Sequence, residues 1–329
     1  MAYIYLFILA KTFYPMHFFL GFIWNPDETI FQLGFLQIKY YNMLWILAFV
    51  LGWYVMKNIF KNENKPFEKL DSLLIYCVIS IMLGARLGHV IFYQSDLFTD
   101  DPLSILLPIQ TSPEFKFTGF AGLASHGATL GAIVALWLFS RKNKDMSVLW
   151  LLDRVAIAAG LGMACVRIGN FFNSEINGKI VDKSFALATK FIRDSDDMPA
   201  YRAMQLTKEK TASAAYKAIE NNPEFASILD GIPFRHPVQL YEAFGYIIVF
   251  LIMFFGLYRR PQLQKKEGFL FGFWLITVWG IVRFCFEFFK KSQGGFESTW
   301  GTFSTGQWLS IPLVLLGLYL MFRPQTNKG

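Results

Sequence analysis

The sequence predicts an all-α polytopic membrane protein with about seven transmembrane helices, and three observations carry that prediction. Of its 329 residues, 54% are hydrophobic and 18% aromatic, with 36 phenylalanines. A soluble domain has roughly half its residues apolar too, but does not gather them into repeated spans. Seven spans occur here, at 41–60, 73–92, 121–139, 148–168, 240–257, 269–286 and 306–322. Each is near the roughly 20 helical residues that cross about 30 Å of hydrocarbon, the last being somewhat short. The basic residues, finally, sit in short blocks between the spans. That is the pattern of cytoplasmic loops, not of a nucleic-acid surface, in spite of the net charge of +7.

In chain order, residues 1–24 form an apolar extension that Lys11 and Pro15 interrupt, which suits an interfacial helix better than a span; Met16 is an alternative start. Asn25-Pro26-Asp27-Glu28 reads as a turn and 29–39 as a short extended or interfacial segment. A membrane domain of helices one to four covers 25–178. Lys57, Lys61, Lys65 and Lys69 follow the first span, Arg141, Lys142 and Lys144 the third, Arg259, Arg260, Lys265 and Lys266 the fifth, and Arg323 and Lys328 the last. These mark the cytoplasmic face. The loop 94–117 carries Asp96, Asp100, Asp101 and Glu114 against Lys116 alone and lies outside. The amino terminus is therefore outside and the carboxyl terminus inside. Residues 179–235, the most polar stretch, make an outer head in which the Ala/Lys/Glu-rich part near 204–220 favours helix. Helices five to seven occupy 236–322 and a cytoplasmic tail 323–329. The cysteines, Cys77, Cys165 and Cys285, lie inside apolar spans without metal-ligand spacing and read as core residues.

This orientation gathers the polar groups that are awkward in a membrane at one depth, the outer half of the bilayer. Tyr41 opens the first span, Arg86 and His89 sit late in the second, and Ser125-His126-Gly127 opens the third. The fourth leaves through Arg167, Asn170, Asn173, Glu175 and Gly178, the fifth enters through Arg235 to Glu242, and the sixth leaves through Arg283, Glu287, Lys290 and Lys291. Intramembrane charge is expensive and marks function by default. Guanidinium forks suit phosphate, whereas a single arginine at an interface is as readily explained by snorkelling. His126 can act as a base, although a lone histidine at a helix end is more often a satisfied hydrogen bonder. Glu175 and Glu287 can pair with Arg167 or Arg283 or take a proton, Tyr41 can cap a phosphate or belong to an aromatic belt, and Glu242 can simply brace a helix start. A secondary transporter would instead spread its charges through the midplane and show inverted halves, and neither is evident. A non-catalytic lipid-binding protein differs from an enzyme here only in chemistry.

Six ordered stretches carry a family resemblance: residues 84–93, Ser125-His126-Gly127 with Gly131, the run from Arg167 to Gly178, Arg235-His236-Pro237 with Gln239-Leu240-Tyr241-Glu242, Arg283 with Glu287-Phe288-Phe289, and residues 306–312. The chain thus resembles the prolipoprotein diacylglyceryl transferases of bacteria over nearly its whole length. The resemblance implies seven helices in the inner membrane and a periplasmic head between helices four and five. It implies transfer of diacylglyceryl from phosphatidylglycerol to the lipobox cysteine thiol of a preprolipoprotein, with glycerol-1-phosphate released and no metal, nucleotide or other cofactor. It assigns catalysis to Tyr41, His126, Arg167, Asn170, Glu175, Arg283 and Glu287. Arg86, Arg167, Asn173, Gly178 and Arg283 are expected to bind the phospholipid. Asn42, Ala128, Val166 and Trp279 depart from the residues usual in the family at their positions.

Overall fold

The computed structural model describes residues 21–33, 36–107, 109–111, 114–117, 122, 124–291 and 303–324. The expected extension at 1–24 lies outside them up to residue 20. Among the described residues nine principal helices run in chain order: α1 (Tyr40–Asn62), α2 (Phe67–Tyr93), α3 (Ser125–Lys142), α4 (Val148–Phe172), α5 (Ala200–Thr207), α6 (Ala212–Asn221), α7 (Val238–Leu257), α8 (Phe269–Phe289) and α9 (Thr305–Phe322). Among the described residues, six of these are long and apolar enough to cross a membrane: α1, α2, α4, α7, α8 and α9. The third of the seven expected spans folds as the 18-residue α3. Its first turn, Ser125-His126-Gly127-Ala128-Thr129, and its last, with Arg141 and Lys142, leave it less apolar than the others.

Contacts divide the chain into two compact units, which cut through five of the long helices. One consists of 47–162, 248–277 and 313–329. In it α2 and α3 touch backbone to backbone. A Cβ at Gly127 would overlap the Gly84 carbonyl, one at Gly131 the Ser80 carbonyl, and one at Gly88 would come within 2.8 Å of the Gly127 Cα. Small residues at this spacing replace the hydrophobic drive that lipid removes, since association then rests on close van der Waals packing. The two charges near the start of α4 are internal as well. Asp153 accepts the backbone N–H groups of Gly268 at 2.7 Å and Phe271 at 2.8 Å, capping the start of α8, where Gly268 has no side chain to do so. Arg154, 2% exposed, donates to both oxygens of Glu63 at 3.0 Å and to the Gln264 carbonyl at 3.1 Å. Burial of both groups is tolerated because each is paired.

The other unit consists of 1–46, 163–247 and 278–312. Here a few short strands accompany the helices. Strand Phe22–Trp24 pairs in parallel with Thr189–Phe191, which pairs antiparallel with Phe234–Arg235. Strands of two or three residues are too short to show a period of two in the sequence. The segment expected to be extended at 29–39 is a hairpin of Thr29–Leu33 and Leu36–Lys39. The helix-favouring stretch becomes α5 and α6, which close over a small core of Ile192, Met198, Ala203, Ala215, Tyr216 and Ile219. Asp27 ties this part to the hairpin side: it takes Arg193 at 3.0 Å, Lys217 at 2.6 Å and the Ser213 hydroxyl. The Lys217 bond, foremost among these, holds its carboxyl down to about 2.

Candidate functional site

The end of α4 builds the first part of the site. Arg167 and Asn170 are three residues apart and so share a helix face. Arg167 Nη1 donates to Asn170 Oδ1 at 3.1 Å, and Asn170 Nδ2 donates onward to Glu175 Oε1 at 2.7 Å. Asn173 Nδ2 reaches the same oxygen at 3.2 Å. A guanidinium, an amide and a carboxylate therefore form one relay from a partly buried position to an exposed one. The turn that brings Glu175 back is unusual, because Ser174 and Ile176 on either side of it have φ of 54° and 61°. A β-branched residue in the left-handed region is a genuine outlier, and such strain persists only where surrounding contacts over-determine it. The Glu175 N–H donates to the Asn170 carbonyl at 3.0 Å and Gln239 Nε2 to the Glu175 carbonyl at 2.7 Å, which fixes the turn on both sides. Tyr41 packs against the helix at Gly169, where a Cβ would meet its ring at 2.6 Å.

Buried ion pairs build the second part. Glu242, fully buried, receives Arg167 Nε at 2.6 Å and Lys290 Nζ at 2.7 Å; Lys290 also lies 3.2 Å from Glu287. The sequence offered Glu175 or Glu287 as partners for the two arginines. In the structure Arg167 reaches Glu175 only through Asn170, and Glu287 faces Lys290. The carboxylate of Arg167 is Glu242, which the sequence left as a helix brace. Arg283 ends the π-helical stretch Ile276–Arg283, with its guanidinium over the Trp279 ring at 5.1 Å. Its Nε is buried without a hydrogen-bond partner, and no carboxylate pairs with it among the described residues. The two arginines are thus unlike: one is neutralised, the other uncommitted. Tyr246, one turn beyond Glu242 and fully buried, lies within electrostatic reach of Glu242, Arg167 and Arg283.

Gly178 closes the loop that carries Glu175. Its N–H donates to the His236 carbonyl at 2.9 Å, its carbonyl accepts Arg235 Nη1 at 3.1 Å, and a Cβ would lie 2.6 Å from both His236 Cβ and His236 O. Arg235 grips Asp197 in bidentate fashion at 2.7 and 2.6 Å, and that pairing raises its pKa. Burial lowers the pKa of His236, whose Nδ1 lies 3.2 Å from the Tyr241 hydroxyl. Glu287 packs against the start of α9 at Gly306, where a Cβ would meet its carboxylate at 2.6 Å.

Two expected residues belong to the other unit. Arg86 donates to the carbonyls of Ile105 at 3.0 Å and Ser104 at 2.5 Å, which holds the segment after α2. His126 lies in the first turn of α3, and its side chain is outside the described residues. Among the described residues no group of three His, Cys, Asp or Glu side chains could hold a metal ion.

The profile described as prolipoprotein diacylglyceryl transferase matches residues 28–323. The chain belongs to that family. Among its relatives, the phosphatidylglycerol–prolipoprotein diacylglyceryl transferase of Bacteroides fragilis is 35% identical over 301 residues, covering 91% of this chain and 94% of that protein. The enzymes of the same name from Tolumonas auensis and Chloroherpeton thalassium are 35% and 34% identical, with 93% and 91% of this chain covered and 98% and 93% of theirs.

Sequence reasoning about the family's motifs picked out Arg167, Asn170, Glu175, Arg283 and Glu287, left Glu242 as a helix brace, gave Lys290 no role beyond the polar exit of the sixth span, and passed over Tyr246. The signals for them were present and weak. Glu242 and Tyr246 stand four apart in an otherwise apolar entry, hence on one face, and Lys290 follows Glu287 by one turn.

Proposed function

We propose that this chain transfers the diacylglyceryl group of phosphatidylglycerol to the lipobox cysteine thiol of a preprolipoprotein. In the step, a base takes the thiol proton and the thiolate attacks the glycerol carbon that bears the phosphate. A C–S bond forms as the C–O bond breaks, and glycerol-1-phosphate leaves with the bonding pair. Free thiols titrate at about 8.5, so capture of that proton is needed to make the nucleophile. The single observation that carries this reading is Arg283, whose Nε is buried without a hydrogen-bond partner and with which no carboxylate pairs among the described residues. Such a group can accept the charge that grows on the departing phosphate. Arg167, already paired with Glu242, orients the site through Asn170 and Glu175. His126 is our candidate for the base, on the family resemblance and its residue type. Tyr41, Asn173 and Gly178 shape the loop and helix surface on which the phospholipid is held, and Arg86 acts as a brace.

The basic loops further support an inner-membrane orientation with the amino terminus periplasmic, the carboxyl terminus cytoplasmic and 179–235 as a periplasmic head. The test is incubation of the purified protein with phosphatidylglycerol micelles and a lipobox peptide. The expected product is a thioether-linked diacylglyceryl adduct by mass, with stoichiometric glycerol phosphate. Absence of both, in conditions where the Bacteroides fragilis relative turns over, overturns the assignment.

A further inference from the structure

A cleft of about 360 Å³ opens beside Glu175, in the same unit as Arg167 and Arg283. Its lining includes Glu28, Asn173, Ser174, Glu175, Pro199 and Tyr216. Two of its polar atoms lack partners among the described residues: the hydroxyl of Ser174, a residue only 2% exposed, and the Asn173 carbonyl oxygen. Buried polar atoms left unpaired cost free energy, and a bound group that brings N–H donors to them removes that cost. The one cation of the lining, Arg193, is already spent. It donates to Asn25 at 2.7 Å and Asp27 at 3.0 Å and lies over the Tyr216 ring at 5.1 Å. What remains is an acceptor-rich surface with an apolar edge of Pro199 and Tyr216, its acids Glu28 and Glu175 engaged by Lys39 and by the Asn170 and Asn173 amides. It suits a ligand that brings N–H groups.

We propose that this cleft binds the acceptor polypeptide, holding the extended residues just after the reacting cysteine. A polypeptide supplies one backbone N–H per non-proline residue, which is the donor that Asn173 Oδ1 and Ser174 Oγ lack. Its anchorage here delivers the thiol toward the relay, because Glu175 both lines the cleft and accepts the Asn170 amide. The left-handed pair Ser174 and Ile176 gains a purpose: it turns Glu175 to the relay beside the cleft. This inference rests on the transferase reading above and names where its second substrate sits.

Ala200 lines the cleft, is exposed, and opens α5, so Ala200→Trp fills the cleft without disturbing a core. The full chain in phosphatidylglycerol micelles is given two lipobox peptides, one ending as an amide at the reacting cysteine, the other four residues longer. The longer peptide is expected to show at least a tenfold lower KM. Ala200→Trp should abolish that advantage and leave kcat and the KM for phosphatidylglycerol unchanged. Equal KM values for the longer peptide in both proteins, or a rise in the lipid KM alone, overturn the proposal. Binding is read apart from turnover by fluorescence anisotropy, with serine in place of the reacting cysteine of the longer peptide. Binding by the unmodified chain that weakens tenfold in Ala200→Trp supports the cleft even if no adduct forms, in which case the transferase reading falls and the cleft stands. Equal binding by the two proteins sinks the cleft whatever the turnover.

Discussion

Glu242 is the position where charge removal should be felt most. It is fully buried and serves two cations at once, Arg167 at 2.6 Å and Lys290 at 2.7 Å. At an effective dielectric of about 20, unit charges 2.6 Å apart attract by about 6 kcal/mol, most of which repays their desolvation. Glu242→Gln keeps the volume and removes the charge. Lys290 then retains Glu287 at 3.2 Å, whereas Arg167 keeps the Asn170 amide but no paired carboxylate among the described residues. The cost therefore falls on Arg167, and stranding one partner of a buried pair costs about 3–5 kcal/mol. Adding Arg167→Gln restores charge balance and leaves the Lys290–Glu287 pair intact, so the double variant should regain most of the loss. Reversible unfolding in mixed micelles, run as a double-mutant cycle, measures both values. A single-variant loss below about 1 kcal/mol, or a double-variant loss equal to the sum of the two singles, refutes the argument.

Three further outcomes are expected. Arg283→Ala should lower kcat by about 100- to 1,000-fold, the usual effect of removing one donor to developing charge, while stability changes by no more than about 1 kcal/mol because among the described residues Arg283 pairs with no carboxylate and lies over the Trp279 ring; steady-state transfer kinetics and unfolding separate the two. Gly178→Ala places a methyl 2.6 Å from His236 and should destabilise by about 1–3 kcal/mol in the same unfolding assay, with wild-type stability counting against the close approach. Asp27 has a folded pKa held below the unfolded carboxylate value, down to about 2, so its contribution is complete above pH 4 or so and is lost as pH falls toward 2. Acid unfolding of the part that α5 and α6 enclose, followed by hydrogen exchange, should lose that slope in Asp27→Asn.

The long helices were legible because apolar runs of membrane length have few alternatives, and the arginines because charge in such runs must be explained. Other features could not be read so. Glu242 sits where a glutamate is ordinary, at the start of a helix, and only the fold shows that α4 and the end of α8 converge on it. The small sheet joins residues 22–24, 189–191 and 234–235, distant in sequence and too short to carry a pattern. The strained turn is hidden for another reason. In Asn173-Ser174-Glu175-Ile176-Asn177-Gly178 the residues that favour left-handed backbone are the asparagines and the glycine, yet Ser174 and Ile176 adopt it. Conversely, Asp153 and Arg154 were conspicuous in the sequence and prove to be a cap and a buried clamp, their chemistry consumed in holding loops.

The glycine-to-backbone seam between α2 and α3 has a mechanical corollary. With carbonyl oxygens seated against Cα atoms, neither helix can slip along the other by a turn without forcing a side chain into a gap that has no room for a methyl. Any rearrangement that admits a two-tailed lipid must therefore carry these two helices together and find its hinge elsewhere in the chain.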